Sequence, residues 1–199
     1  MSTSTYRILM VCTGNICRSP VMERLAVARL AQHLAPEDAE RFEISSSGTW
    51  ALAGSEMSPE AAETLIDLGG DPSGFIARDL EPEMLEAADL VLTATREHRG
   101  LAVASLPRAS SRTVTLREFA RLLGPVTPSD IAARANSDDP VDRMRAISVA
   151  AFANRGLVPL GEPAADDIDD PYGRPRAAYL RAAEAIDAAL AVPLALLFA

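Results

Sequence analysis

The sequence predicts an α/β fold with three layers, in which a four-stranded parallel sheet is flanked by helices. Short apolar runs typical of buried strands alternate along the chain with segments whose apolar residues recur at helical spacing. The 199 residues are 48% apolar and 24% charged, which is enough apolar material for a real core. We expect a single domain, residues 1–199, with an insertion at about 124–165 and a phosphate-binding loop between the first strand and the first helix.

The first predicted strand is the nearly continuous apolar run Tyr6–Val11, which is typical of a strand buried on both faces. A helix is expected after it, with Ser19 as N-cap and Pro20 at the first helical position. Gly69 is expected to close a later helix, and Tyr179 to pack into the core from the last one. The other strands are predicted at 42–46, 89–93 and 112–116, and the other helices at 60–68, 82–88, 117–123 and from 175 onward.

The segment 124–165 differs from the rest because it is rich in proline and in acidic residues. One helix is expected inside it, at about 141–153, where Asp139 provides the cap and Pro140 the first helical position. Three roles remain open for this insertion: a lid over the site, a docking surface, or an elaboration without a catalytic role.

The charge balance argues against two classes of partner. There are 19 basic and 28 acidic residues, so the net charge is −9 and the surface repels both nucleic acid and anionic lipid. Every basic residue is an arginine, which excludes a lysine Schiff base and a phosphate loop of the Walker type. We therefore predict neither nucleic acid nor a membrane as partner.

The two ends and the few metal-ligating residues predict a cytoplasmic protein without a metal or a cofactor. The N-terminal residues lack the apolar core of a secretory signal, and the apolar stretch 188–199 is shorter than the roughly 20 residues that span a bilayer. Two cysteines, Cys12 and Cys17, and two histidines, His33 and His98, are too scattered for a zinc site. Both histidines are expected at the surface.

The strongest chemical signal is the segment Cys12–Pro20, which stands where a buried strand turns into a helix. Free backbone amides and the positive end of the helix dipole make such a turn a site for an anion. Gly14 is expected to permit a close approach of the backbone, and Arg18 offers a planar fork that holds two phosphate oxygens at once. The other loop residues expected to surround the phosphate are Thr13, Asn15, Ile16 and Cys17.

In this setting the thiol of Cys12 is expected to be ionised and nucleophilic, with Ser19 placed to donate a hydrogen bond to the sulfur. A thiolate that attacks phosphorus forms a covalent cysteinyl-phosphate, and the loop amides together with Arg18 offset the repulsion between the two anions. The leaving oxygen needs a proton, which a carboxylic acid usually donates when no histidine is at hand.

The run Cys12-Thr13-Gly14-Asn15-Ile16-Cys17-Arg18-Ser19-Pro20 resembles the signature of the low-molecular-weight protein tyrosine phosphatases. A second landmark of that family, an Asp-Pro-aromatic just before the last helix, is matched by Asp170-Pro171-Tyr172. The resemblance covers about residues 6–123 and 166–192. It implies a hydrolase that acts on protein phosphotyrosine or another aryl phosphate and needs no cofactor.

The resemblance also implies roles for residues outside the loop. Asp170 would be the general acid and later the base that activates water, Tyr172 would line a slot for the aromatic ring, and Ser46 would brace the loop. Trp50 either forms the other wall of that slot or packs as an ordinary aromatic residue. Ile16 resembles the tyrosine-specific branch of the family, whereas the protein-arginine phosphatase branch tends to carry threonine there.

The chain departs from the family pattern at two histidine positions, which Leu68 and Phe75 occupy. The first of those histidines often supports the loop asparagine, so the support of Asn15 is expected to differ here. Near Asp170, the carboxylates of Asp166 and Asp167 are expected to belong to a solvated acidic loop.

Two other functions remain open. Thiol-dependent arsenate reductases resemble this loop but need a further pair of cysteines downstream, and no cysteine follows Cys17. A phosphate-binding module without catalysis is the second, and the joint presence of Cys12, Arg18 and Asp170 argues against it. Cys17 itself either packs in the core or traps an oxidised Cys12 as a disulfide.

Overall fold

The computed structural model describes residues 4–159 and 162–199, and a four-stranded parallel sheet runs through their centre. The strand order is β2-β1-β3-β4. Cys12 pairs with Gly48, and Val11 with Thr93, so the carboxyl ends of the central strands lie together where the phosphate loop begins. The strands are β1 (Tyr6–Cys12), β2 (Phe42–Gly48), β3 (Leu90–Thr93) and β4 (Thr113–Thr115).

Helices cover both faces of the sheet. They are α1 (Arg18–Ala31), α2 (Pro36–Ala39), α3 (Pro59–Asp67), α4 (Pro82–Ala87), α5 (Arg96–Ser105), α6 (Leu116–Leu123), α7 (Pro128–Arg134), α8 (Pro140–Ala153) and α9 (Arg176–Leu197). Short 3₁₀ turns occur at Pro107–Arg112 and Pro163–Asp166. Within the two described ranges, no helix is both long enough and apolar enough to cross a bilayer.

The alternation of side chains along β1 divides the core into two parts. Ile8 and Met10 face a large cluster that includes apolar residues of α1, α6, α8 and α9, whereas Leu9 and Val11 face a smaller cluster under α4 and α5. Because both faces of the strand are covered, its sequence is almost continuously apolar. The predicted three-layer α/β fold is confirmed.

The predicted elements are confirmed with bounds shifted by one or two residues, including the cap of α8 by Asp139 and the left-handed Gly69 (φ 83°) after α3. The prediction missed α2, α5 and α7. These helices have little apolar periodicity, since only His98 and Ala102 are buried in α5 and only Ile131 in α7.

Helix α8 of the insertion packs near the amino end of β1. The Tyr6 hydroxyl at the start of β1 lies 2.6 Å from the Ser148 hydroxyl of α8. Arg143 of α8 donates to the carbonyl oxygens of Leu196 and Leu197 at the end of α9, at 2.8 and 3.0 Å. The phosphate loop follows the opposite end of β1, so α8 lies far along the strand from the loop.

Candidate active site

In the phosphate loop, residues 12–18, four backbone carbonyl groups accept hydrogen bonds from the neighbouring segment 49–58, whereas the backbone amides of residues 13–17 are free. None of the described residues accepts a hydrogen bond from the backbone amides of residues 13–17. Successive free amides form a nest that binds an anion. The amides of Thr49, Trp50, Leu52 and Ser58 donate to the carbonyl oxygens of Cys12, Thr13, Gly14 and Ile16, respectively, at 2.8–3.0 Å.

The conformation of this loop depends on two residues, Asn15 and Gly48. Asn15 adopts a left-handed backbone conformation (φ 54°), which asparagine tolerates better than most residues. A Cβ on Gly48 would lie 2.3 Å from the Thr13 carbonyl oxygen, so β2 can approach the loop only with glycine there. At Gly14 a Cβ would make ordinary contact, 3.6 Å from Ile16. The close approach at Gly48 is between β2 and the loop backbone, whereas the expected approach of the Gly14 backbone to a phosphate stays a prediction.

The first helix begins at Arg18, with Cys17 at the N-cap position and without a side-chain cap. The prediction of Ser19 as N-cap is wrong, because its hydroxyl has other partners: it lies 3.0 Å from the Cys12 sulfur and accepts from Asn15 Nδ2 at 2.9 Å. Pro20 is consequently the third helical residue, where its missing N–H still costs no helical hydrogen bond. Ser19 thus touches the predicted nucleophile directly.

Arg18, the last residue of the phosphate loop, lines the pocket above the loop and is 5% exposed. Its Nη1 donates to the Ile168 carbonyl oxygen at 3.2 Å and its Nη2 lies 3.0 Å from Asp170 Oδ2. Its Nε is buried and has no hydrogen-bond partner among the described residues. A buried donor without an acceptor is costly, and a phosphate oxygen is the acceptor that this charged group fits best.

Asp170 stands at the mouth of the pocket, with its side chain 50% exposed. Its Oδ1 accepts from the Tyr172 amide at 3.2 Å, which turns the carboxylate back over the loop. The structure thereby brings Cys12, Arg18 and Asp170 together from the two ends of the chain.

The acids before Asp170 are not a solvated loop. Asp166 is buried and accepts two hydrogen bonds from the Arg121 guanidinium at 2.8 and 3.0 Å, so that expectation was wrong for Asp166. Asp167 is half-buried and accepts from the Arg96 amide at 2.7 Å, which caps the start of α5. These contacts fasten the segment that carries Asp170 to α5 and α6.

A hydrogen-bonded network supports the left-handed Asn15 without a histidine. Asn15 Nδ2 donates to Ser46 Oγ at 2.9 Å, and Asn15 Oδ1 accepts from the Arg78 amide at 2.9 Å. Ser46 in turn donates to Glu23 Oε2 at 2.6 Å, and burial raises the pKa of that carboxyl. Ser46, Glu23 and the backbone of Arg78 therefore support Asn15. Leu68 and Phe75 occupy the two histidine positions of the family pattern.

The pocket above the loop has a volume of about 260 Å³ and apolar walls. Trp50 and Tyr172 both line it, and their side chains are 82% and 61% exposed, so neither packs as a core aromatic. Ile16 and Leu52 also line it, and the sequence interpretation missed Leu52. Exposed rings on a pocket wall suit a flat aromatic ligand.

Cys17 is a free, buried thiol that also lines this pocket. Its sulfur lies 3.2 Å from Ser58 Oγ, and burial raises its pKa to about 11. This thiol is therefore protonated at neutral pH, which makes it a weak nucleophile beside Cys12.

The two histidines differ in their surroundings. His33 is exposed, as expected, and stacks on Phe198 with 4.5 Å between ring centroids. The expectation was wrong for His98, which is buried beside the loop between Thr13 and Thr95. A signal was available, since His98 closely follows the carboxyl end of β3, where functional side chains of parallel sheets gather.

The family comparison matches this geometry. The family model described as "Low molecular weight phosphotyrosine protein phosphatase" matches residues 7–125. The chain belongs to this family. The matched residues contain the whole phosphate loop and end where the insertion begins, so Asp170 lies beyond them.

Curated relatives of this phosphatase carry two kinds of name. A protein-arginine-phosphatase of Geobacillus stearothermophilus is 37% identical over 114 residues, which are 57% of this chain and 71% of the relative. The low molecular weight protein-tyrosine-phosphatase Etp of Escherichia coli K12 is 34% identical over 112 residues, 56% of this chain and 70% of the relative.

Solved structures of the family superpose over nearly the full chain. A low molecular weight protein tyrosine phosphatase from T. tengcongensis aligns with a TM-score of 0.65 and 28% identity, covering 94% of this chain and 96% of the other. The YwlE arginine phosphatase of Geobacillus stearothermophilus aligns with a TM-score of 0.64 and 26% identity, covering 96% and 91%.

Proposed function

We propose that this phosphatase hydrolyses phosphotyrosine in proteins through a covalent phosphate on Cys12. One observation carries the proposal: the Cys12 sulfur, the free amides of residues 13–17 and the unpaired Nε of Arg18 surround one pocket, with Asp170 at its mouth. A nucleophile, an anion cradle and an acid in one pocket are the parts that phosphate transfer to sulfur requires.

In the first step, the Cys12 thiolate attacks phosphorus, the S–P bond forms and the P–O bond to the tyrosine breaks. Asp170, in its acid form, gives its proton to the leaving phenoxide. The loop amides and Arg18 stabilise the charge on the phosphoryl oxygens, which is greatest in the transition state.

In the second step, water attacks the phosphocysteine while the Asp170 carboxylate takes a proton from it. The S–P bond breaks, inorganic phosphate forms and the thiolate returns. Ser19, 3.0 Å from the sulfur, donates a hydrogen bond that stabilises the thiolate as leaving group.

The walls of the pocket support an aryl substrate. Two exposed aromatic rings, Trp50 and Tyr172, and the apolar side chain of Ile16 line the pocket, which supports a substrate with a flat ring. The sulfur is buried at the bottom of the pocket, so the long side chain of phosphotyrosine reaches it more easily than that of phosphoserine.

Phosphoarginine is the second candidate substrate, because a relative with 37% identity is named a protein-arginine-phosphatase. The guanidinium group is also flat and fits between two rings. Ile16 favours phosphotyrosine over phosphoarginine, because the protein-arginine phosphatase branch tends to carry threonine at this position.

The other two alternatives have less support. Arsenate reduction needs a second thiol pair, and Cys17 is the only cysteine besides Cys12. A binding module without catalysis would need neither the Ser19 contact to the sulfur nor a carboxylate at the mouth.

One set of assays tests these functions. We expect the wild type to hydrolyse p-nitrophenyl phosphate and a phosphotyrosine peptide, and Cys12→Ser to lose nearly all activity while folding normally by circular dichroism. Faster cleavage of a phosphoarginine peptide would overturn the tyrosine assignment. Absence of turnover with bound phosphate would favour the binding module, and thiol-dependent reduction of arsenate would favour the reductase.

We propose further that residues 1–199 form one domain and that the enzyme acts in the cytoplasm. The helices of the insertion share the large core cluster with β1, which supports the first statement. A nucleophilic thiolate needs reducing surroundings, which supports the second. Limited proteolysis that released a stable fragment lacking 124–165 would contradict the single domain.

A further inference from the structure

His98 is a buried polar side chain beside the phosphate loop, and the proposed mechanism does not use it. It lies in the first turn of α5 and is 4% exposed. Its Nδ1 is 2.7 Å from Thr95 Oγ1, and its Nε2 is 2.8 Å from Thr13 Oγ1. Both ring nitrogens are therefore engaged, and the imidazole bridges the start of α5 to the residue that follows Cys12.

Thr13 is held from two sides. Its carbonyl oxygen accepts from the Trp50 amide at 3.0 Å, and its hydroxyl contacts His98. These two contacts fix the orientation of the residue between Cys12 and Gly14, where the free amides of the anion nest begin.

The other end of the bridge is also fixed. Thr95 Oγ1 caps α5 by accepting from the His98 amide at 3.3 Å, and the next residue, Arg96, donates its amide to Asp167. Asp167 belongs to the segment that carries Asp170. The imidazole therefore connects the nucleophile side of the pocket to the frame that holds the acid.

Burial and the nearby charge of Arg18 favour the neutral form of the His98 imidazole. Burial, reinforced by the positive charge of Arg18, lowers the pKa of His98 to about 4, against the opposing effect of Asp170 and Asp167. At neutral pH one nitrogen donates and the other accepts, so the ring holds both threonines without adding a second positive charge beside Arg18.

We propose that His98 is a positioning residue for the phosphate loop, in which its bridge from Thr95 to the Thr13 hydroxyl fixes the start of the anion nest. The inference rests on the proposed phosphatase activity, since positioning is measured by turnover.

Kinetics of a double-mutant cycle test the bridge. Thr13→Val removes the hydroxyl while keeping the shape of the side chain, and His98→Asn shortens the side chain so that it no longer reaches Thr13. We expect each to lower kcat for p-nitrophenyl phosphate about tenfold, the effect of one positioning hydrogen bond, and the double variant to lose no more. His98→Gln, whose amide reaches further, should recover part of the loss. His33→Asn is the control and should keep full activity.

Nitrogen NMR tests whether the bridge exists, independently of turnover. The chain has two histidines, so their ¹⁵N resonances are easily assigned with the His33→Asn variant. Thr13→Val should shift the Nε2 resonance of His98 and leave its Nδ1 resonance in place. This experiment needs no His98 variant and stands even if His98→Asn does not fold.

The results of these experiments distinguish the positioning role of His98 from the proposed phosphatase function. Losses that multiply in the double variant, full activity of Thr13→Val, or an unchanged Nε2 resonance would each overturn the positioning role while leaving the phosphatase intact. A wild type without turnover overturns the proposed function, and the NMR result then decides the bridge alone.

Discussion

The carboxylate of Asp170 lies 3.0 Å from the guanidinium of Arg18, which ends the phosphate loop. The acid is therefore paired with the same cation that the substrate phosphate needs. The unpaired Nε of Arg18 remains available for phosphate when Nη2 holds Asp170.

This pairing separates two effects of the Asp170→Asn substitution. The amide cannot donate the proton that the leaving group needs, so kcat should fall more for phenyl phosphate than for p-nitrophenyl phosphate, whose leaving group needs little protonation. The amide also removes a negative charge beside the phosphate site, so competitive inhibition by inorganic phosphate should be as strong as in the wild type or stronger. Weaker inhibition by phosphate would show that Asp170 is needed to hold Arg18 in place.

The support of Asn15 predicts a contrast between two neighbouring serines. Ser46→Ala removes the hydroxyl that bridges Asn15 to Glu23, so kcat/KM should fall about tenfold, in line with one lost hydrogen bond on a strained residue. Ser47→Ala is the matched control, since the Ser47 hydroxyl is buried without a hydrogen-bond partner in the described ranges. Equal losses for the two variants would argue against the network.

The tight contact of β2 with the loop predicts opposite effects at two glycines. Gly48→Ala places a methyl group 2.3 Å from the Thr13 carbonyl oxygen, and we expect it to lower the free energy of unfolding by about 1–3 kcal/mol. Gly100→Ala, in the exposed middle of α5 with no atom within 4 Å of the new methyl, should raise it by about 0.5–1 kcal/mol. Urea denaturation measures both, and a neutral Gly48→Ala would contradict the close approach.

Burial of His98 predicts a loss of stability in mild acid. The unfolded chain takes up a proton on this imidazole near pH 6.5, whereas the folded chain does so only near pH 4. The unfolded state therefore binds more protons in this interval, and the free energy of unfolding should fall as the pH is lowered from about 6.5 to about 4.

Comparison of variants isolates this contribution to the pH dependence. His98→Gln should show a shallower fall than the wild type over the same interval. Identical curves for the wild type and His98→Gln would show that the buried imidazole is not the group responsible.

The sequence features that predict the fold depend on residues close together in the chain. The apolar run of β1, the glycine after α3 and the Asp139-Pro140 start of α8 each depend on neighbours within a few positions, and these predictions are confirmed. The run from Cys12 to Pro20 likewise indicates the phosphate loop, because a strand followed by glycine and a helix start makes an anion site whatever the rest of the chain does.

Only the tertiary structure decided which distant residues complete the loop. Ser19 contacts the Cys12 sulfur instead of capping α1, Gly48 lets β2 approach the Thr13 carbonyl group, and His98 is buried between Thr13 and Thr95. Asp166 is fastened by Arg121 rather than solvated. A sequence shows which side chains can form hydrogen bonds, but their partners depend on how the ends of β1, β2 and β3 meet, which the chain determines only when it folds.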